Sequence, residues 1–296
     1  MAKIPCDADR RRVVVSRRAV LASCTGISTG LSFIENSEAG FSFGLTPIFL
    51  DNDMRFLTLL QRYLTRRLER SVALVTRRSQ RETIEMLLSG QLRAAWISDL
   101  AYVEYENRLS ILAVPVFEDH PSYQTYIIVN QTSTARTFDD LRGTRHAFSD
   151  PDTTAGYFMT RWLLSSRQEM PASFFSYFFF TYSDRNTVRA VAAGLAESGT
   201  MNGYVWEVMK LREPDLADRT RVIFRSEPLG FPPIATLQRS SRLQEEQELE
   251  TALLSMKSQP LGAEILSRLV LDGFTPPTPG LYESTADKWL ALGAKG

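Results

Sequence analysis

The spacing of hydrophobic positions changes along this chain, and the changes mark its elements. From residue 41 the stretch FSFGLTPI is strand-like. Apolar residues then recur at helical spacing near 52–69, placing Met54, Leu57, Leu60, Tyr63, Leu64 and Leu68 on one side. A short strand, SVALVT, precedes a helix that begins near Arg78 and ends at Gly90, followed by a buried strand over residues 93–97. This β-α-β-α-β order predicts a mainly parallel sheet covered by helices. ILAVPVFE and YQTYIIVN read as strands leading out of this first unit.

The pattern then starts again. TFDDLRG is a short helix, and RHAFSD is a strand that runs into DPDTTAGYFMTRWLLSS, a loop opening a helix. FFSYFFFTY is strand-like, SDRNTVRAVAAGLAESG is a helix ending in a turn, and TMNGYVWEVMKL is a turn or short strand entering a helix. Beyond VIFRSEPLGFPPIATLQ come the helix LQEEQELETALLSMKSQP and a last helical segment near 262–271. Two strand-helix series of this length predict two lobes. Crossings at about 129–131 and 235–239 make the first lobe from residues 40–129 plus 238–296 and the second from 130–237. Lobes joined in this way close around a ligand held in the cleft between them.

The first forty residues carry a different signal. Lys3, Arg10, Arg11, Arg12, Arg17 and Arg18 precede an uncharged run, AVLASCTGISTGLSFI. A basic segment before a short apolar one is an export signal, too short to span a bilayer comfortably. Ser16-Arg17-Arg18-Ala19-Val20-Leu21 resembles the twin-arginine signal, and Ser37-Glu38-Ala39 favours cleavage after Ala39. Leu21-Ala22-Ser23-Cys24 gives a second reading, a lipid anchor on Cys24, but only five residues separate Arg18 from that cysteine. The expected location is the periplasm.

Charge and cysteine content narrow the chemistry. The whole chain has 34 basic and 34 acidic residues, which argues against a nucleic-acid partner. Removing residues 1–39 takes away six basic and four acidic residues, leaving 28 − 30 = −2. Both cysteines, Cys6 and Cys24, go with them, so no thiolate nucleophile or thiolate metal ligand remains. The G-x-S-x-G, P-loop, H-E-x-x-H and G-x-G-x-x-G motifs are all absent. His120 and His146 have no metal-ligand spacing and read as structural or surface residues. A hydrolase on a two-lobed scaffold would lack both nucleophile and metal set. The expectation is a monomeric non-enzyme with no cofactor.

The most specific segment is Ser149-Asp150-Pro151-Asp152-Thr153-Thr154-Ala155-Gly156-Tyr157. Here a strand, a tight turn and a helix start follow one another. The first N–H groups of a helix are unpaired and its dipole end is positive, so an oxyanion is favoured there. Thr153 and Thr154 can add hydroxyl donors to the same anion. The same turn would also serve as an ordinary cap, with Asp152 or Thr153 capping and no ligand.

The flanking residues resemble those of the phosphate/phosphonate-binding family of periplasmic substrate-binding proteins. The match reads Phe138-Asp139-Asp140-Leu141-Arg142-Gly143, then Phe148-Ser149-Asp150-Pro151-Asp152-Thr153-Thr154-Ala155-Gly156. It extends to Phe43-Gly44-Leu45-Thr46-Pro47, Leu87-Leu88-Ser89-Gly90 and Arg189-Ala190-Val191-Ala192-Ala193-Gly194, roughly residues 41–240 in all. The resemblance implies an α/β, two-lobed type II binding-protein fold that clamps a small oxyanion for an ABC transporter permease.

Carried over by position, the resemblance implies ligand contacts from Asp150, Thr153, Thr154 and the Ala155 amide. Thr46 and Pro47 match the first loop. Ser98 and Asp99 lie in the loop after the third strand, where Tyr102 matches a cleft-facing aromatic; its other reading is a ring buried against the next helix. Two positions depart from the family. Asp184 stands where a histidine is common, and Asn202 stands where an acidic residue is usual. An ionised Asp cannot donate, so Asp184 suits a ligand that carries O–H groups, unless it is simply the helix cap. Gly203-Tyr204-Val205-Trp206-Glu207 looks like a sensor branch whose members report to a membrane histidine kinase, and this makes sensing the alternative function. Some of that branch bind arsenite through a cysteine, but the matching position here is Ser98.

Overall fold

The computed structural model describes residues 40–46, 54–238 and 243–293. The export segment with Cys24, and Pro47 of the first loop, lie outside the described residues. In chain order the strands are β1 (Phe41–Leu45), β2 (Val72–Thr76), β3 (Ala94–Trp96), β4 (Leu109–Val116), β5 (Ser122–Tyr123), β6 (Thr125–Asn130), β7 (Arg145–Phe148), β8 (Tyr177–Phe180), β9 (Ser198–Asn202), β10 (Thr220–Arg225), β11 (Leu229–Gly230), β12 (Ile234–Leu237) and β13 (Gly273–Thr275). The helices are α1 (Met54–Leu68), α2 (Gln80–Leu88), α3 (Asp99–Glu104), α4 (Met159–Ser165), α5 (Pro171–Phe174), α6 (Asp184–Ala192), α7 (Gly203–Arg212), α8 (Pro214–Ala217), α9 (Leu243–Leu254), α10 (Pro260–Leu269) and α11 (Glu283–Ala291). Among the described residues, no helix is long and apolar enough to cross a membrane.

The strands form two sheets, in the orders β13-β4-β12-β3-β1-β2 and β10-β6-β9-β7-β8. Each is parallel where β-α-β units build it, at β2-β1-β3 and at β9-β7-β8. Each is antiparallel where the chain arrives from or leaves for the other sheet: β12 runs against β3 and β4, and β6 against β9 and β10. The sheets are therefore mixed rather than mainly parallel. The chain passes between them within residues 117–124 and 226–233, slightly ahead of the crossings expected from the sequence, because β6 pairs along its whole length inside the second sheet. The two passing segments also pair with each other as the antiparallel ribbon β5-β11.

Helix α1 shows how the first lobe is held. Phe56, Leu59, Leu60, Tyr63, Leu64 and Leu68 form its buried face, while Met54, expected inside, is exposed at the helix start. Leu64 has no exposed surface, and burial of such a side chain contributes about 1.5–3 kcal/mol. The Tyr63 hydroxyl donates to the Ala252 carbonyl at 2.6 Å and ties α1 to α9.

In the second lobe the aromatic run is split. Pro171 opens the short helix α5, and only Tyr177–Phe180 continue as a strand, at the sheet edge. Phe174 stacks on Phe138 with ring centroids 4.8 Å apart, and Phe175 stacks on His146 at 4.2 Å. His146 is fully buried between the hydroxyls of Ser198 (2.7 Å) and Thr200 (2.8 Å). Burial lowers its pKa to about 3, so it is a neutral core residue, as the sequence suggested.

Candidate functional site

Helix starts from both sheets converge on one cleft. From the first sheet come the starts of α2 and α3, with Gln80, Ser98 and Asp99 lining the space. From the second come Thr153 and Ala155 ahead of α4, Ser183 and Asp184 at α6, and Asn202 at α7. The ribbon between the sheets adds Tyr123, and Pro232 follows it. About 370 Å³ of space not filled by protein atoms, part of it open to solvent, lies among these residues. Each start is capped in the usual manner: Ser79, Ser98, Thr153 and Ser183 accept from the N–H three residues on, and Asn202 from the N–H two residues on. The N–H groups just inside the caps have no partner within the helix and carry the positive end of its dipole.

The Thr153 start has an unusual backbone. Thr154–Phe158 form a π-turn, in which the Phe158 N–H donates to the Thr153 carbonyl at 3.2 Å. Such turns occur mostly inside α-helices and frequently at functional sites. Gly156 is required by close approach: a Cβ there would lie 2.3 Å from the Asp150 carbonyl oxygen and 2.4 Å from Thr153 Oγ1. The Gly156 N–H donates to Thr153 Oγ1 at 2.9 Å, which leaves the Thr153 hydroxyl proton free to point elsewhere. Asp150 Oδ1 accepts from the Asp152 N–H at 2.7 Å and fixes the turn ahead of it.

Carboxyl groups occupy the other sides. Asp99 is buried; its Oδ1 accepts from the Tyr123 hydroxyl at 3.0 Å and its Oδ2 from the Thr285 hydroxyl at 3.1 Å. Burial raises its pKa to about 6, while the hydroxyls of Thr154, Tyr123 and Thr285 pull it down. The Asp150 carboxyl is pushed up to about 7, first by burial and then by the negative charges of Asp152 and Asp184, against the N–H groups of Asp152 and Gln80. Asp184 Oδ1 accepts from the Asn202 N–H at 2.9 Å, linking the α6 and α7 starts. The cleft rim is bridged between the sheets: Arg81 pairs with Asp152, and the Ser98 hydroxyl donates to the Asp152 carbonyl at 3.3 Å.

The residues singled out from the sequence divide in two. Ser98, Asp99, Asp150, Thr153, Ala155, Asp184 and Asn202 line the cleft together. Thr154, Thr46, Tyr102 and Tyr204 do not. Thr154 is fully buried beneath the turn; its hydroxyl approaches Asp99 and Tyr123 without the geometry of a full hydrogen bond. Thr46 is buried at the end of β1, and its hydroxyl has no partner among the described residues. Tyr102 is turned by the short helix α3 against Tyr282, with ring centroids 4.9 Å apart. Tyr204 is a core residue that packs on Phe117 and Phe231 and donates to the Leu269 carbonyl. The phenol facing the cleft is Tyr123 instead. Tyr182 also lines it, half-exposed and with a φ of 54°, a strained conformation for a bulky residue. Gln80, Tyr123 and Tyr182 carry no local motif, but Tyr182 adjoins the Ser183-Asp184 cap that the sequence did mark.

Known proteins share this arrangement. A Pseudomonas aeruginosa binding-protein component of an ABC phosphonate transporter superposes with a TM-score of 0.77 at 17% identity, covering 85% of each chain. PhnD1 of Prochlorococcus marinus, solved with methylphosphonate, gives 0.76 at 15% identity over 86% of this chain and 98% of that one. A Xanthomonas citri protein solved with chloride gives 0.69 at 17% identity, with coverage of 86% and 98%. At these identities the likeness is one of fold, the two-lobed periplasmic binding-protein architecture. The sequence itself matches the profile of the periplasmic substrate-binding proteins of phosphonate ABC transporters over residues 43–282, and the chain belongs to that family.

Proposed function

We propose that the protein is the exported solute-binding component of an ABC transporter and closes on a small tetrahedral oxyanion of the phosphate, phosphite or phosphonate class. The convergence of helix starts on one cleft carries this reading. In it the Thr154 and Ala155 N–H groups and the Thr153 hydroxyl donate to the anion, and Asn202 and Tyr123 flank it. Thr154 acts through its backbone, since its side chain is turned inward. The Arg81–Asp152 and Ser98–Asp152 contacts join the two sides over the ligand, and the β5-β11 ribbon is the hinge. The family description and the Pseudomonas neighbour are both transport components, and they favour transport over kinase sensing.

A ligand that binds only the folded state stabilises it by RT ln(1 + [L]/Kd), about 2.7 kcal/mol at a hundredfold excess over Kd. A thermal-shift screen over phosphate, phosphite, alkylphosphonates, arsenate and sulfate therefore tests the reading directly. A rise in melting temperature with a phosphorus oxyanion is expected, and no rise with any of them at millimolar concentration would sink it. We further infer export through the twin-arginine signal. Changing Arg17 and Arg18 to Lys should leave a folded, uncleaved precursor in the cytoplasm, scored by fractionation and intact mass. Normal processing of that variant would refute this route.

A further inference from the structure

Helix α11 touches both lobes and the ribbon between them. It packs on α3 of the first lobe and on β11 of the ribbon. Thr285 donates to Asp99 Oδ2 at 3.1 Å, and the Tyr282 hydroxyl, just ahead of the helix, donates to the Phe231 carbonyl at 2.8 Å. One turn further on, its side chains reach the second lobe. The Trp289 ring lies against Phe158 with ring centroids 5.8 Å apart, and the Lys288 ammonium lies 4.7 Å from the centre of the Trp162 ring. Phe158 ends the π-turn, and Trp162 stands four residues on, on the same side of the helix that follows.

Lys288 is an odd residue to find there. It is 7% exposed, and lysine is almost never buried unless it is paired. Its ammonium pairs with the Glu227 carboxylate, where the chain returns from the second sheet. It also donates within its own helix, to Ser284 Oγ at 2.8 Å and to the Ser284 carbonyl at 3.2 Å. Ser284 Oγ in turn donates to Glu227 Oε1 at 3.2 Å. These partners take the three N–H donors of the ammonium. The Trp162 ring adds the attraction of its π face to a cation that is already held in place.

We propose that α11 is a clasp: Lys288 and Trp289 hold the second lobe closed against the first by gripping Trp162 and Phe158. In the proposed closure the lobes pivot at the β5-β11 ribbon. Helix α11 is fastened to the first lobe and the ribbon, whereas Phe158 and Trp162 travel with the second lobe. Parting the lobes withdraws both rings from α11, which takes the aromatic cover off the cation and exposes apolar surface. Both grips fall on the helix that the Thr153 turn opens, so clasp and ligand favour the same setting of the lobes. A bound ligand is released more slowly, and the ligand-free protein spends more of its time closed. The clasp goes beyond the oxyanion reading, because it acts without a ligand.

Two variants test it. Lys288→Met keeps the length of the side chain and removes the cation; Trp162→Leu removes the ring and leaves the Glu227 pair in place. Small-angle X-ray scattering of the ligand-free protein reads the setting of the lobes. Each variant should have a larger radius of gyration than the wild type. Lys288→Arg, which keeps a cation for Glu227 and for the ring, should restore the wild-type value. Stopped-flow binding of methylphosphonate and of inorganic phosphate gives the second reading. Dissociation should quicken about 2- to 30-fold in each variant, the worth of a cation–π contact from exposed to desolvated, while association does not slow. Wild-type scattering and wild-type dissociation rates in the variants overturn the clasp and leave the oxyanion reading standing, even if the melting temperature falls. If no oxyanion binds, that reading fails and scattering alone decides: expanded variants support the clasp, and unchanged curves overturn it. Trp162→Leu, at a half-buried position, decides the matter if Lys288→Met does not fold.

Discussion

Two helix starts face the same cleft from opposite sheets; both are capped by a hydroxyl that accepts from the N–H three residues on, but one opens an α-helix and the other a π-turn. At α3, Ser98 accepts from the Ala101 N–H at 3.1 Å; at the π-turn, Thr153 accepts from the Gly156 N–H at 2.9 Å. The next residue is Asp99 in the first case and Thr154 in the second. Asp99 places a carboxylate over its own helix's positive end, where the dipole and two hydroxyls hold it. Thr154 brings no charge and turns its hydroxyl inward, so in the proposed reading the N–H groups of its turn are the ones offered to the ligand. The same hydroxyl cap is thus followed by a carboxyl at one start and by an uncharged residue at the other.

The strongest way to break this contrast is to spoil the donor side. Gly156→Ala places a Cβ against the Asp150 carbonyl and should rebuild the turn, costing affinity at least ~100-fold, the equivalent of about 2.7 kcal/mol. Calorimetry with the ligand found by the screen reads it, and near-normal binding would mean the turn does not hold the anion. Thr153→Ala removes one hydroxyl and the cap together. Affinity should fall about 10- to 150-fold, and stability by about 0.5–2 kcal/mol. A loss of stability with unchanged affinity would assign the residue to capping alone.

The acceptor side is sharpened through pH. The Asp150 carboxyl has its pKa raised to about 7 in the folded protein, above its value of 3.8 in a free chain. The folded state therefore binds more protons in that interval, and the stability this group contributes is fully present below about pH 4 and lost as pH rises through 7. Asp99 acts in the same direction up to about pH 6. The ligand-free protein should melt at a higher temperature at pH 5 than at pH 8, and Asp150→Asn should reduce the gap. Each kcal/mol recovered moves the midpoint by about 2–4 °C for a chain of this size. A melting temperature that rises between pH 5 and 8 would contradict this account. The smallest effect is expected at Tyr102. Its ring packs on Tyr282 outside the cleft, so Tyr102→Phe should change affinity less than about twofold (under ~0.5 kcal/mol).

These contrasts also show what sequence could deliver. The donor side is local: cap, glycine and preceding Asp lie within Asp150–Gly156, so the motif and its chemistry appear in one line of text. The acceptor side is assembled across the fold. Asp99 takes its two hydroxyl donors from Tyr123, on the ribbon, and from Thr285, which is 186 residues away on a helix the hydrophobic pattern did not reveal. The edge strand β8 is shorter than the aromatic run suggests, because Phe174 and Phe175 have strand propensity but Pro171 and the aromatic core draw them into α5 and its end. Tyr102 had the right spacing, but α3 is only six residues long and turns it toward α11.

The position of β12 bears on how the protein is made. It lies between β3 and β4, inside the first sheet, yet leaves the ribosome only after the whole of the second sheet. Until residue 237 has emerged, β3 and β4 each expose an unpaired edge, and open edges invite pairing with other chains. The second lobe is continuous from β6 to β10 and can condense during synthesis, whereas the first must wait. A chain interrupted shortly before residue 234 would hold every donor of the Thr153 turn and still lack a first sheet to close against it. Completion of the cleft is thus a late event in biogenesis, waiting on a four-residue strand and on β13 and Thr285 beyond it.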